Sequence, residues 1–192
     1  MNIVFILGPQ AVGKMTIGEA LSKKIDTPLL FNHMTLDIIS PFLGWTADTF
    51  RISQNLRNEI LEAVAKDSLN KGLIMTFCFF FDEKNDWLAF EKYKNNFESR
   101  GIEVCIVELE TTLEERLKRN KSENRLLKKP SKRDLEYSEN ELRHTNEKHR
   151  LNSNPGEIKD KNYFRLDVTN LTPNEAADKI INRFNLNKKM NE

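Results

Sequence analysis

One short stretch constrains the fold of this chain more than any other. The stretch Gly8-Pro9-Gln10-Ala11-Val12-Gly13-Lys14-Met15-Thr16, here called the phosphate loop, follows the apolar run 3–7 and precedes the helix-like run 17–25. A strand, a glycine-rich turn and a helix in this order can wrap backbone N–H groups around a phosphate, and the helix N-terminus adds about half a positive charge. Lys14 would reach the β- and γ-phosphates of a nucleoside triphosphate. The stretch therefore predicts a nucleotide-binding site.

Met15 breaks the usual pattern of such a loop, in which a Ser or Thr hydroxyl at this position holds Mg²⁺. A thioether is a soft and weak ligand, whereas Mg²⁺ prefers hard oxygen atoms. Thr16 is one residue further along, rotated by about 100° on an ideal helix, which makes it a poor geometric substitute. Two alternatives follow. Either nucleotide oxygens, waters, Thr16 or Asp82 hold the metal, or nucleotide binding survives while phosphoryl transfer is slow or lost.

Apolar runs alternate with helical patterns along the rest of the chain. This alternation predicts a parallel sheet with right-handed crossovers, which is an α/β fold. The run 73–81 is nearly all apolar, as is typical of a central strand buried on both faces. Strands are predicted at 3–7, 29–31, 73–81, 102–109 and 163–168, and the later helices include a polar one at 132–150 capped by Ser131.

Composition and charge exclude several classes of protein. The 192 residues carry 30 Lys and Arg against 29 Asp and Glu, which disfavours a globally basic nucleic-acid binder. Cys78 and Cys105 lie in apolar runs and indicate buried thiols in a reducing compartment. We expect a single cytoplasmic domain spanning 1–192 with no membrane partner, because no signal peptide or membrane-spanning run is evident.

Polar side chains follow the predicted second and third strands, at the edge where open parallel sheets bind ligands. Asn32, His33 and Asp37 follow the second strand and lead into a short predicted helix at 37–44. They are candidates for substrate binding, and His33 or Asp37 could take a proton from a substrate hydroxyl. Asp82 follows the third strand and is a candidate catalytic residue near Mg²⁺. The structural alternative is that these side chains only fix turns and cap helices.

A basic segment occupies residues 116–133, with nine Lys or Arg and the single acid Glu123. Arg116 and Arg119 are three residues apart, on one face of a predicted helix, so both could point at a phosphate. The alternative is a solvated basic helix surface.

Together these features resemble the P-loop kinases of small molecules, the group that holds adenylate, shikimate and gluconate kinases. The resemblance rests on the phosphate loop, on Leu113-x-x-Arg116-x-x-Arg119, on the basic segment up to Arg133 and on Leu166-Asp167-Val168-Thr169. The phosphate loop with Phe31-Asn32-His33-Met34-Thr35 also looks like a set of bacterial shikimate-kinase-like proteins. In such enzymes aspartates stand near Asn32 and His33, so this departure disfavours shikimate itself.

The resemblance implies a three-layer P-loop NTPase fold, with a five-stranded parallel sheet in the order 2-3-1-4-5. It implies ATP and Mg²⁺ as cofactors, an acceptor-binding region at about 32–70 and a helical lid at about 116–150 that closes over the triphosphate. Lys14, Arg116 and Arg119 would stabilise the charge that develops during phosphoryl transfer. Asp167 and Thr169 fall in the adenine-side loop, and further lid candidates are Arg125, Lys128, Lys129, Lys132 and Arg133.

Three functions are compatible with these residues. The leading hypothesis is an ATP-dependent kinase that transfers the γ-phosphate to a small-molecule acceptor. The second is a nucleotide-binding regulatory module with little or no kinase activity, which Met15 favours. The third is a nucleic-acid end kinase, which the basic segment permits and the near-neutral net charge disfavours.

Overall fold

Five parallel strands form a single sheet. The strands are β1 (Asn2–Leu7), β2 (Leu29–Leu30), β3 (Gly72–Thr76), β4 (Val104–Glu110) and β5 (Tyr163–Asp167). Their spatial order is β2-β3-β1-β4-β5, and every neighbouring pair is parallel. The computed structural model describes residues 1–67, 71–129 and 133–186. The α/β class and the strand order predicted from the sequence are confirmed.

Eight helices are described, and they cover both faces of the sheet. They are α1 (Lys14–Ile25), α2 (Asn32–Leu43), α3 (Ala47–Lys66), α4 (Lys84–Glu98), α5 (Leu113–Asn120), α6 (Glu123–Lys128), α7 (Leu135–Lys148) and α8 (Pro173–Phe184). Helix α1 packs against α8, and α3 packs against α4. Among the described residues, no helix is both long enough and apolar enough to cross a membrane.

The side chains of β1 divide between two cores because successive residues of a strand point to opposite faces. Ile3, Phe5 and Leu7 join the core beneath α3 and α4. Val4 and Ile6 join the core beneath α1 and α8. All five are at most 1% exposed, so β1 is a central strand buried on both faces. The first core is aromatic, and the ring centroid of Phe5 lies 5.2 Å from that of Phe77.

The predicted third strand is wrong in length, since β3 ends at Thr76 and not at 81. Its neighbour β2 ends at Leu30, which pairs with Met75, so no partner remains on that side. The segment after β3 stays apolar because alternate side chains point into the core. Those core side chains are Phe77, Phe79 and Phe81, at 8%, 2% and 3% exposure. The intervening Cys78 and Phe80 point to the opposite side.

Two other predicted boundaries differ from the structure. The helix expected at 37–44 begins at Asn32 and passes through Pro41 before it ends at Leu43. The helix expected at 132–150 is α7, which begins at Leu135, where the Asp134 carboxylate accepts a hydrogen bond from the N–H of Tyr137. The predicted cap Ser131 and the lid candidate Lys132 lie outside the described residues.

A matched pair of glycines tests the pairing of β1 with β3. Gly72 has φ +116°, and a Cβ there would lie 2.0 Å from the carbonyl oxygen of Asn2. Gly101 also has a positive φ, +74°, but no described atom lies within 4 Å of its added Cβ. We expect Gly72→Ala to lower the free energy of unfolding by about 3 kcal/mol or more, since the strands must move apart. Gly101→Ala should cost only about 1 kcal/mol, the backbone term alone. Urea denaturation measures both, and equal losses would contradict the steric argument.

Candidate functional site

A cavity of about 650 Å³ lies where the phosphate loop meets the ends of β1 and β3. Ligand sites for small molecules typically span about 300–1,000 Å³. Its walls come from five parts of the chain: the phosphate loop with the start of α1, helices α2 and α3, the segment after β3, the α5–α7 region, and the segment between β5 and α8. The lining residues include Gln10, Lys14, Met15, Thr16, Asn32, His33, Cys78, Phe80, Asp86, Arg119, Arg125, Lys129, Glu141, Leu171 and Pro173.

Lys14 folds back onto its own loop. Its Nζ donates hydrogen bonds to the carbonyl oxygens of Gly8 at 2.5 Å and Pro9 at 2.6 Å. Burial is the main reason that the pKa of Lys14 is lowered to about 8; Cys78 opposes this shift, and the charges of Arg125 and Arg116 add to it. A bound anion would offer Lys14 a charged partner in place of two neutral carbonyls. The position of Lys14 therefore fits a phosphate-binding role.

Arg116 is 2% exposed and lies behind the phosphate loop, outside the cavity lining. Its Nε donates to the carbonyl oxygen of Gln10 at 2.8 Å, and its Nη1 donates to Asn146 Oδ1 on α7 at 2.8 Å. Its Nη2 is buried and has no hydrogen-bond partner among the described residues. Burial lowers the pKa of Arg116 to about 10. Arg116 thus connects the loop to α7, and its Nη2 is left without a hydrogen-bond partner among the described residues.

Arg119 lines the cavity and joins three segments. Its Nη1 donates to the carbonyl oxygen of Val12 at 2.7 Å, and its Nη2 donates to that of Val168 at 2.8 Å. Its Nε donates to Glu115 Oε1 at 2.8 Å. Arg119 therefore holds the phosphate loop against the turn that follows β5. The predicted pair Arg116 and Arg119 does meet at the loop, where both bind its carbonyls.

The predicted adenine-side residues Asp167 and Thr169 form a closed turn. Asp167 Oδ1 accepts hydrogen bonds from the N–H of Thr169 at 2.8 Å and from its hydroxyl at 2.6 Å. Neither residue lines the cavity, whereas Leu171 and Pro173 of the same segment do. The side chains of Leu171 and Pro173 therefore form an apolar wall at this end of the cavity, next to the turn.

Met15 and Thr16 both line the cavity at the start of α1. Met15 is 7% exposed, so its thioether is largely enclosed. The hydroxyl of Thr16 is the hard-oxygen donor at this end of the loop. At the position where a hydroxyl ligand for Mg²⁺ usually stands, the cavity is therefore lined by the apolar side chain of Met15.

The predicted acceptor residues lie in the first two turns of α2. Asn32 and His33 line the cavity, whereas Asp37 lies behind them, with its Oδ1 3.4 Å from His33 Nδ1. Burial raises the pKa of Asp37. Arg57, which the sequence reasoning missed, reaches Asn32 from α3 by a hydrogen bond through Nη1. Its Nε is buried without a described partner. An arginine on the buried side of a long helix is the signal that would have identified it.

Asp82 is the residue predicted near Mg²⁺, but Asp86 takes its place in the cavity wall. Asp82 does not line the cavity: its Oδ1 accepts from the N–H of Arg150 at 2.9 Å and its Oδ2 lies 3.1 Å from His149 Nδ1. Burial opposes its ionisation, but these hydrogen bonds hold the pKa of Asp82 below its usual range. Asp86 lines the cavity instead, and its Oδ2 accepts from the N–H of Phe80 at 2.9 Å. Burial raises the pKa of Asp86.

The reason for this difference is the early end of β3. Once the sheet pairing stops at Thr76, the chain turns, and the first turn of α4 brings Asp86 back towards the phosphate loop. Cys78, also missed as a site residue, lines the cavity beside Lys14, and burial raises the pKa of its thiol. A free cysteine in an apolar run carries no signal of its own for such a position.

The basic segment contributes unequally to the cavity. Arg125 and Lys129 line it, together with Glu141 of α7. The Nε of Arg125 is buried without a described partner, and burial lowers its pKa. Lys128 instead forms an ion pair with Glu19 of α1. Arg133 donates to the carbonyl oxygen of Leu126 at 3.1 Å.

No family model matches the chain, and no curated protein matches it. Solved structures do. A gluconokinase from Sinorhizobium meliloti 1021 has a TM-score of 0.59 at 14% identity, over 96% of this chain and 91% of that one. A shikimate kinase from Acinetobacter baumannii, solved in complex with shikimate, has 0.55 at 17%, over 94% and 91%. The tunicamycin resistance protein of Deinococcus radiodurans has 0.57 at 14%, over the full length of both.

The chain has the fold of the P-loop small-molecule kinases. The predicted resemblance is confirmed at the level of the fold, since the similarity spans nearly the whole chain. At these identities the comparison establishes the architecture and leaves the reaction to be argued from the site itself.

The pKa of Lys14 provides a direct test of the loop. We expect Lys14 in the free protein to titrate near pH 8, and surface lysines near about pH 10. Lys14 is fully charged well below pH 8, half charged near pH 8 and neutral well above it, so phosphate affinity should fall as the pH rises through this range. NMR of ¹³C-methylated lysines measures the titration, with exposed Lys161 as the control. Addition of ATP should raise the Lys14 midpoint, and a midpoint that ATP leaves unchanged would contradict contact with phosphate.

Proposed function

We propose that this protein is an ATP-dependent phosphotransferase that acts on a small-molecule acceptor. The observation that carries the proposal is the grouping of four cationic side chains around one cavity at the phosphate loop, namely Lys14, Arg119, Arg125 and Lys129. A nucleoside triphosphate is a polyanion that fits such a set. Arg125 lines the cavity and has a buried donor without a described partner, which supports the same ligand because an unsatisfied buried donor is costly.

Each residue of the site has a proposed role in positioning and charge stabilisation. Lys14 and the loop backbone would hold the β- and γ-phosphates, and Arg119 would keep the loop against the nucleobase side. Bound ATP supplies the phosphoryl group, and Mg²⁺ offsets part of its charge. Thr16 and Asp86 are two oxygen donors of the lining that would suit the metal or its waters. Segment 116–150 would act as a lid that excludes water.

The proposed acceptor side of the cavity presents polar side chains, and the guanidinium of Arg57 lies behind them. Asn32 and His33 face the cavity, and Arg57 stands behind Asn32 with a buried donor that lacks a described partner. Burial lowers the pKa of Arg57, which is the expected cost of enclosing its charge. These groups favour an acceptor with several hydroxyl groups or an anionic group. Asp86, whose pKa is raised by burial, would accept the proton of the reacting hydroxyl.

Substitution of Lys14 tests the proposal. We expect Lys14→Ala to weaken ATP binding at least tenfold and to abolish ADP formation in the presence of polyols, sugar acids and nucleosides. Lys23→Ala removes an exposed lysine of the same helix and should leave both quantities unchanged. Calorimetry and coupled ADP detection provide the measurements. Turnover that is indifferent to the loss of Lys14 would rule out this site.

The carboxylate after β3 is tested by comparing two aspartates. We expect Asp86→Asn to lower turnover by about 10²–10⁴-fold, the usual contribution of a positioned general base, with ATP affinity retained. The amide oxygen still accepts the Phe80 N–H, so the local fold is kept. Asp82→Asn should have little effect on turnover. The reverse result, with Asp82 essential and Asp86 dispensable, would restore the interpretation from the sequence.

A second candidate function is a nucleotide-binding module that regulates a partner and has little catalysis. The enclosed Met15 favours it, because the start of α1 lacks the hydroxyl that usually holds Mg²⁺. Tight ATP binding that is independent of Mg²⁺, without transfer to any acceptor, would support this function. Transfer that depends on Mg²⁺ would exclude it.

A further inference from the structure

Three potential metal ligands lie together outside the nucleotide cavity. Asp82 and Glu83 precede α4, and His149 follows α7, so two distant segments contribute to one cluster. The ligand atoms of the three side chains all lie within 4.8 Å of one another. The cluster is separated from the cavity by the ring of Phe80, which lines the cavity and also stacks on His149. The proposed reaction makes no use of this group.

The distances within the cluster already approach those of a metal site. His149 Nδ1 lies 3.1 Å from Asp82 Oδ2 and 3.6 Å from Glu83 Oε1. In a tetrahedral Zn²⁺ site with bonds of about 2.0–2.2 Å, two ligand atoms are about 3.3–3.5 Å apart. An ion could therefore sit between these three atoms after a small rotation of Glu83, whose side chain is 46% exposed.

Two of the three ligands are fixed in position before any ion binds. The ring of His149 is stacked on that of Phe80, with centroids 4.3 Å apart and planes within 4°. Asp82 is held through its Oδ1 by the N–H of Arg150 at 2.9 Å, which leaves its Oδ2 turned towards His149. Such fixation lowers the entropic cost of binding. Glu83 is the adjustable ligand and leaves the site accessible from solvent.

The charge of the cluster suits a divalent ion that accepts both nitrogen and oxygen. Two carboxylates and a neutral imidazole carry a charge of about −2, and His149 on its own can compensate only half of it when protonated. The guanidinium of Arg150 is already engaged by Glu157 and by the carbonyl oxygen of Phe81. Imidazole is a ligand for Zn²⁺ and similar transition metals, whereas Mg²⁺ prefers oxygen alone.

We propose that Asp82, Glu83 and His149 form a binding site for a divalent transition metal ion such as Zn²⁺, with solvent completing the coordination. The bound ion would join the end of α7 to the segment between β3 and α4. That segment carries Phe80 and Asp86 in the cavity wall, so the metal would fix the wall relative to the end of the α5–α7 region. The site is independent of the proposed phosphotransferase activity and of the metal that accompanies ATP.

Metal titration of the full chain tests the site without any assay of activity. The protein is treated with EDTA, kept free of nucleotide and titrated with Zn²⁺ by calorimetry, with Co²⁺ absorption to report the ligand type. We expect one Zn²⁺ per chain and a nitrogen–oxygen Co²⁺ spectrum without thiolate bands. Glu83→Gln should weaken Zn²⁺ binding at least tenfold, and His149→Gln should abolish it. Zn²⁺ should also raise the Tm of the native chain and leave that of Glu83→Gln unchanged.

Matched controls come from the same helix. His144 and Glu147 are exposed residues of α7, and His144→Gln or Glu147→Gln should leave Zn²⁺ binding unchanged. Glu83→Gln keeps the proposal falsifiable if His149→Gln does not fold, since the side chain of Glu83 is 46% exposed. Absence of Zn²⁺ binding, binding that survives both ligand substitutions, or a thiolate spectrum from Cys78 would each overturn the proposal.

Discussion

The site depends on cationic side chains that donate hydrogen bonds to the carbonyl oxygens of the phosphate loop. Lys14 binds the carbonyls of Gly8 and Pro9, Arg116 binds that of Gln10, and Arg119 binds that of Val12. Those oxygens would repel a phosphate, so engaging them leaves a loop whose remaining polar groups favour an anion. Because Arg116 is 2% exposed, its contact with the loop forms in a region with little competing water.

The same contacts connect the loop to the rest of the molecule. Arg116 also binds Asn146 of α7, and Arg119 also binds the turn after β5. The loop is therefore connected by hydrogen bonds to two elements that are more than a hundred residues away in the chain. At the same C-terminal end of α7 as Asn146, His149 stacks on Phe80, which lines the cavity. The cavity is shaped by a small number of charged and aromatic contacts between distant segments.

The sequence predicted most of the fold because its signals are local. The alternation of apolar runs with helical patterns fixed the parallel sheet, and the phosphate loop placed the first strand and helix. The sequence predicted Lys14 from the phosphate loop, and it predicted Asn32 and His33 because they follow the second strand. Asp86 was missed because its position depends on where the pairing of β3 stops, which the neighbouring strand β2 decides. From the apolar run 73–81 alone, one could not tell that residues 77–81 pack into the core without being part of a strand of the sheet.

By itself the sequence determined the class of fold, the strand order implied by the resemblance of its motifs, and a loop whose pattern predicts phosphate binding. Only the tertiary structure decided which charges face that loop. Arg57 and Arg125 reach the cavity region from separate helices, while Asp82 turns away to meet His149. The physical reason is that periodicity and turn chemistry act over a few residues, whereas the enclosure of a charge depends on every element packed around it. Met15, visible at once in the sequence, became an enclosed wall of the cavity only when α1 was placed in the fold.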